Sequence, residues 1–224
     1  LGRLGRAGDG ARRERTNAFC DLLVVGAGPA GLAAALTAGR AGARVILADE
    51  GPHPGGDLFE VLAVVDGRPA AEWAEAARAE LAALPNVACK PWTSVVGYYD
   101  DNVVTAVERM AGHGRDADPT LPRERHVTIH AGRVVLATGA VERPYVFPGN
   151  DLPGVMLAGA VERYATRYGV AAGRRIVLSG ATDSLYRAAL NLADAGATVV
   201  AVADARPAPG DPALAEAVVA RGIA

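Results

Sequence analysis

Three glycines and one acid carry the chemistry that can be read from this sequence. Gly26, Gly28 and Gly31 lie in the run Val25-Gly26-Ala27-Gly28-Pro29-Ala30-Gly31, the spacing of a dinucleotide fingerprint. Asp49, followed by Glu50, stands where a ribose-binding acid belongs. Gly26 can turn the chain out of a strand, Gly28 lets backbone approach a pyrophosphate with no Cβ in the way, and Gly31 lets a helix lie close to a sheet. A carboxylate accepts hydrogen bonds from ribose hydroxyls and repels a 2′-phosphate, so Asp49 disfavours NADP. NAD and FAD share the ADP half that this stretch would hold, and the residues leave that choice open.

The elements needed to position these groups arrive in order. Leu22 to Val25 is an apolar run that suits a strand buried on both faces of a parallel sheet. A helix beginning near Pro29 aims its unpaired N–H groups and positive dipole end at the phosphate. Val45 to Ala48 is a second apolar strand ending at the acid. A lone glycine motif is weak evidence, but a complete βαβ unit around it is strong. Leu22 to Gly39 is uncharged and near the length of a membrane span, yet its Gly-Ala-Gly-Pro-Ala-Gly interruption argues for strand, turn and helix instead. No transmembrane segment is expected.

Composition limits the remaining classes. The chain has 224 residues, 50% of them hydrophobic, and a net charge of −2, which is ordinary for a soluble globular protein and gives no support for nucleic-acid binding. Lys90 is the one lysine among 23 basic residues, a pattern of coding bias. Cys20 and Cys89 form no C-x-x-C, so neither a redox dithiol nor a zinc ribbon is supported; inert thiols and a reducing cytoplasm are the default. The chain starts at Leu1 and stops at Ala224, and both ends read as cuts through a longer polypeptide. Arg12-Arg13-Glu14-Arg15 reads as part of a solvated linker, not as a secretory signal.

Residues 1–18 are read as that linker, 19–145 as a dinucleotide-binding Rossmann domain with a β-meander, 146–170 as a crossover segment and helix, and 171–224 as a second Rossmann-like subdomain. Gly55 and Gly56 lie in a loop able to pass close to a cofactor, with His53 as a surface residue of it. Trp73, Ala77, Leu81 and Leu84 mark a helix face. Extended segments follow over 86–92, 93–99 and 103–109, then a loop over 112–124. A half-exposed strand over 126–130 turns at Ala131-Gly132 into Arg133 to Gly139, where Thr138 and Gly139 bring a strand end to the cofactor edge. Pro144 to Pro153 reads as extended, and Val161, Tyr164 and Tyr168 as a helix face closed by Gly169. In the second βαβ pattern Ser179, Ala181 and Ser184 replace the three glycines and Asp183 adds a repulsive charge, so no standard dinucleotide site is expected there. The fold class is α/β, a Rossmann-like two-dinucleotide-binding (FAD/NAD(P)-binding) fold with a β-meander, incomplete at both ends.

With these residues laid out, the chain resembles the alpha subunits of heterotetrameric sarcosine oxidases and their opine oxidase and hydrogen cyanide synthase relatives. The likeness rests on the stretch from Cys20 to Gly31, on Ile46 to Glu50, Val96-Gly-Tyr-Tyr-Asp100, Val134 to Pro144, Pro153 to Met156 and Asp183-Ser-Leu-Tyr-Arg-Ala-Ala189. The resemblance implies an internal piece of a longer subunit that holds NAD, with Ala30, Asp49 and Glu50 in contact with it and Val95 or Val96 lining the adenine. It further implies beta, gamma and delta partner subunits, FAD in the beta subunit, FMN at the alpha–beta boundary, a small amine substrate and folate. It transfers no catalytic residue to this chain. Two other readings stand beside it: a self-contained FAD-dependent pyridine nucleotide oxidoreductase, and a scaffold that has lost its ligand.

Overall fold

The computed structural model describes residues 12–61, 63–110 and 121–224. In chain order the elements are β1 (Arg13–Val25), α1 (Pro29–Arg40), β2 (Val45–Ala48), β3 (Val64–Val65), β4 (Arg68–Pro69), α2 (Ala70–Ala83), β5 (Val87–Lys90), β6 (Thr93–Tyr98) and β7 (Val103–Arg109). They continue with β8 (Glu124–Leu136), α3 (Ala158–Tyr168), β9 (Ile176–Gly180), α4 (Ser184–Asp194), β10 (Val199–Asp204) and α5 (Pro212–Ala220). Two compact units result. One takes the described residues up to Gly56 with Ala71–Gly139, and the other takes Asp57–Ala70 with Ala140–Ala224. The break at Gly139 falls ahead of the boundary expected at 145, because the chain leaves the sheet once the Ala137 N–H has bonded the Val25 carbonyl at 2.8 Å. Residues 146–170 are part of the second unit and not a separate crossover piece.

The first unit is a six-stranded sheet in the order β5-β2-β1-β8-β7-β6. β5, β2, β1 and β8 run parallel, and β8, β7 and β6 form an antiparallel meander. β1 is far longer than the apolar run suggests: Arg13 to Ala18, read as linker from sequence, pair in register with Glu124 to Ile129. The charges that resembled a solvated tail are cross-strand partners, with Arg13 to Glu124 at 3.5 Å and Arg125 to Glu14 at 3.2 Å. The turn expected at Ala131-Gly132 is absent, and β8 runs straight through it. Gly132 is needed for a different reason: a Cβ there would lie 2.9 Å from the Asp21 carbonyl oxygen on β1. Residues 111–120 of the loop expected over 112–124 lie outside the described residues, and Glu124 belongs to β8.

Alternation puts Leu23, Val25, Ile46 and Ala48 into one core with Val104, Ala106, Val127 and Ile129 of the meander. Val24 faces α1 on the other side, with its Cγ1 3.4 Å from the position a Gly31 Cβ would take. In α2 the buried stripe is Ala70, Ala74, Ala77 and Leu81.

The second unit holds the antiparallel pair β3–β4 and the parallel pair β9–β10, with Leu178, Leu185, Ala189, Leu192, Val199 and Val218 in its core. Asp211 caps α5 by accepting from the Ala213 N–H at 3.1 Å, with Pro212 as first helical residue, as the sequence indicates. Gly169 closes α3 at φ +63. The helix face expected from Val161, Tyr164 and Tyr168 is buried only at Val161, since Tyr164 and Tyr168 are exposed. The stretch expected to be extended over 144–153 ends in turns across residues 148–154, with Gly149 at φ +85 and Gly154 at φ +97. Among the described residues no helix is long and apolar enough to cross a membrane.

Candidate functional site

The three glycines play three different parts. Gly26 sits at φ +94, and a Cβ on it would fall 2.3 Å from the Ala137 carbonyl oxygen. Gly31 lies so close under the turn that its Cβ would be 1.9 Å from the Gly26 oxygen. Both are therefore closed by the fold. Gly28 is different: it is the extended N-cap of α1, and no protein atom lies within 4 Å of where its Cβ would be. No side chain caps α1, Pro29 has no N–H to satisfy, and Ala30 is exposed. The first-turn amides and the positive end of the helix thus face open space beside a residue with no side chain, which is the geometry a pyrophosphate requires.

Asp49 builds this turn as well as flanking it. Its Oδ2 accepts from the Ala27 N–H at 2.6 Å and its Oδ1 from the Gly51 N–H at 2.8 Å. The Asp49 carbonyl accepts from Thr93 N–H at 2.7 Å, and the Gly51 carbonyl from Trp92 N–H at 3.0 Å, so the strand end is tied to the start of β6. Each carboxylate oxygen can accept two hydrogen bonds and here accepts one, which leaves one acceptor position on each. The structural half of this role was missed from sequence. Its signal was an aspartate at a strand end with glycine two residues on, the pattern of an Asx-turn.

The other candidates divide. Gly55 is buried and donates its N–H to the Ala27 carbonyl at 2.7 Å, while a Cβ on Gly56 would lie 3.0 Å from the Gly28 Cα. The loop after β2 therefore folds against the glycine turn. Thr138 packs its Cα 3.2 Å from the space a Gly26 Cβ would fill, and Gly139 stands at φ +70 in open surroundings. Glu50 is exposed. Val95 is partly buried against the core, and Val96 sits in the β6 bulge, 64% exposed. Of the two residues considered for the adenine, Val96 is the one turned outward.

A cavity of about 220 Å³ in the same unit is lined by Ala18, Ile46, Lys90, Glu108 and Arg125 and includes none of the glycine-turn residues. Cys20 and Cys89 are free thiols, and burial pushes both upward in pKa, away from the thiolate a redox centre needs. Among the described residues no three His, Cys, Asp or Glu side chains are grouped to hold a metal ion.

The family model for pyridine nucleotide-disulphide oxidoreductase matches residues 20–221. The chain is 52% identical over 210 residues to the alpha subunit of the sarcosine oxidase of Rhizobium meliloti (strain 1021), covering 94% of this chain and 21% of that one. It is 37% identical over 199 residues to an opine oxidase subunit of Agrobacterium tumefaciens (strain Ach5), covering 85% of this chain and 38% of that one. Among solved structures, the L-proline dehydrogenase from P. horikoshii is similar with a TM-score of 0.70 at 26% identity, over 88% of this chain and 38% of that one. The chain thus spans about a fifth of the length of the first of these relatives.

Proposed function

We propose that this chain, which belongs to the pyridine nucleotide-disulphide oxidoreductase family, is the NAD-binding part of the alpha subunit of a sarcosine oxidase-like complex. The observation that carries the reading is the open side of Gly28 at the uncapped start of α1, with the Asp49 carboxylate bonded to the adjoining amide. These residues fit the ADP half of a dinucleotide. The likeness to sarcosine oxidase and opine oxidase subunits supports the setting in an amine-oxidising oxidoreductase of several subunits.

Gly28, Ala30 and Gly31 offer backbone and helix dipole to the pyrophosphate, and Asp49 and Glu50 offer carboxylate oxygens to the adenosine ribose. When bound, NAD brings a nicotinamide ring that exchanges hydride. Gly55, Gly56, Thr138 and Gly139 border the same turn, and Val95 or Val96 would line the adenine, Val96 being the more exposed of the two. FAD would meet the same residues through its own ADP half. No residue of this chain is assigned to the oxidation of the amine. In this reading the partners are beta, gamma and delta subunits, sarcosine is converted to glycine at FAD in the beta subunit with FMN at the alpha–beta boundary, the methyl carbon passes to tetrahydrofolate or leaves as formaldehyde, and oxygen becomes peroxide. The proposed setting is the cytoplasm.

The test is to denature the purified intact protein and identify the released nucleotide, then titrate the stripped protein with NAD. Released or rebound NAD is the expected result. A protein that releases no nucleotide and takes up neither NAD nor FAD is not a dinucleotide-binding subunit.

A further inference from the structure

The second unit repeats the order of the first, with β9, α4 and β10 followed by an acid at the strand end, Asp204. In such a unit the pyrophosphate rests on the helix N-terminus and the acid takes the ribose. Here one side chain bridges the acid and the residue at the start of the helix, Asp183, whose own side chain bonds no first-turn amide. Arg206 Nη2 donates to Asp183 Oδ1 at 2.7 Å and to Asp204 Oδ2 at 2.7 Å, and its Nε donates to Asp204 Oδ1 at 3.0 Å and Oδ2 at 3.2 Å. The Arg206 backbone N–H adds a bond to Asp204 Oδ1 at 2.9 Å, and the Tyr186 hydroxyl one to Oδ2 at 2.9 Å. With these donors both oxygens of Asp204 are filled.

Asp183 closes the other half. It is the N-cap of α4, and its Oδ1 also accepts from the Gly210 N–H at 3.0 Å. A Cβ on Gly210 would lie 2.5 Å from Asp183 Oδ2, so the loop after β10 is drawn tight over the start of the helix. The Arg206 guanidinium holds both carboxyls below the usual carboxylate range, so the cluster stays charged at neutral pH. An entering dinucleotide must pull the guanidinium off Asp204 and set its pyrophosphate against a bare Asp183.

We infer that Arg206, clamped between Asp183 and Asp204, is a built-in occupant of the nucleotide crevice of the second unit and confines dinucleotide binding to the first. This goes beyond the function proposed above and holds whichever dinucleotide the first unit takes. Its consequence is that neither NADH nor NADPH delivers hydride from the second unit.

Hydrogen–deuterium exchange on the intact protein, with NADH and NADPH each added at millimolar concentration, tests it. Exchange over residues 180–186 and 204–210 should not change with either nucleotide, and slowing there overturns the inference. Slowing over 26–31 reports separately on the first site, so failure of one reading does not mask failure of the other. Arg206→Ala should speed exchange over 180–186 and 204–210 by about tenfold and leave the NAD affinity of the first unit within about twofold. Exchange as slow as in the parent would show that the guanidinium does not close the crevice. Should Arg206→Ala not fold, Arg206→Lys keeps the charge without the planar fork, and the same segments should exchange about threefold faster; parental exchange in that variant counts against the inference equally.

Discussion

Asp49 and Asp204 stand at the same point of two βαβ units, and they keep different company. Asp49 accepts from two backbone amides, those of Ala27 and Gly51, and retains acceptor capacity. Asp204 accepts from a guanidinium, an amide and a phenol and retains none. One topology therefore supplies one open acid and one that is spent on the fold.

Asp49→Lys should weaken NAD binding by at least about a hundredfold, because it removes the ribose acceptor and releases the Ala27 amide. Isothermal titration of the intact protein reads this directly. An affinity equal to the parent's would remove Asp49 from the site.

The glycines separate binding from folding. Gly28→Ala meets no atom within 4 Å and keeps an ordinary backbone, φ −71, so it should melt within about 1 °C of the parent yet bind NAD at least about tenfold more weakly. Gly31→Ala drives its methyl group into the Gly26 carbonyl and should lower the melting temperature by about 5 °C or more. Equal loss of stability in both variants would contradict this division of roles.

Glu108 is buried between two cations, accepting from Lys90 Nζ at 3.1 Å and from Arg125 Nη1 at 3.4 Å. Glu108→Ala removes the carboxylate from Lys90 and one of two carboxylates from Arg125, which keeps Glu14 at 3.2 Å, and should cost about 1 kcal/mol, less than a fully buried pair because the cations reach solvent. Urea denaturation measures it, and a cost indistinguishable from zero would show that the Lys90–Glu108–Arg125 contacts contribute nothing to stability.

Glu162 gives a pH dependence. Burial raises its pKa, opposed by the hydrogen bond from Asn191 Nδ2 at 2.9 Å and reinforced by Glu142, Asp57 and Glu60. The folded form therefore keeps a proton that the unfolded chain has released, and the associated stability is lost as pH rises from the ordinary glutamate range through the raised value. Glu162→Gln retains an oxygen for Asn191 and carries no charge. It should raise the melting temperature by about 2 °C at pH 7.5 and leave it unchanged below the glutamate range. A gain of equal size at both pH values would point to packing instead.

The glycine turn was legible in sequence because its determinants are local: Gly26, Gly28, Gly31 and Asp49 fall within one βαβ unit, and their spacing alone defines the turn. The helix caps Gly169 and Asp211 were legible for the same reason. What could not be read depends on distant partners. Arg13 to Ala18 have no apolar period, and their strand character comes from Glu124 to Ile129 across the sheet. Gly132 carries an ordinary turn signal but serves a close approach to Asp21. The negative charge of Asp183 was visible, whereas its neutralisation by Arg206 required the loop after β10 to fold back.

Strands β1 and β8 run without interruption from the meander to the glycine turn, thirteen residues each. They make the two ends of the first unit a single girder. A partner gripping the meander would tilt the phosphate cradle with it, and a cofactor seated in the cradle would stiffen the surface that the partner grips. Under the proposed function, assembly and cofactor loading would be coupled through the backbone of these two strands.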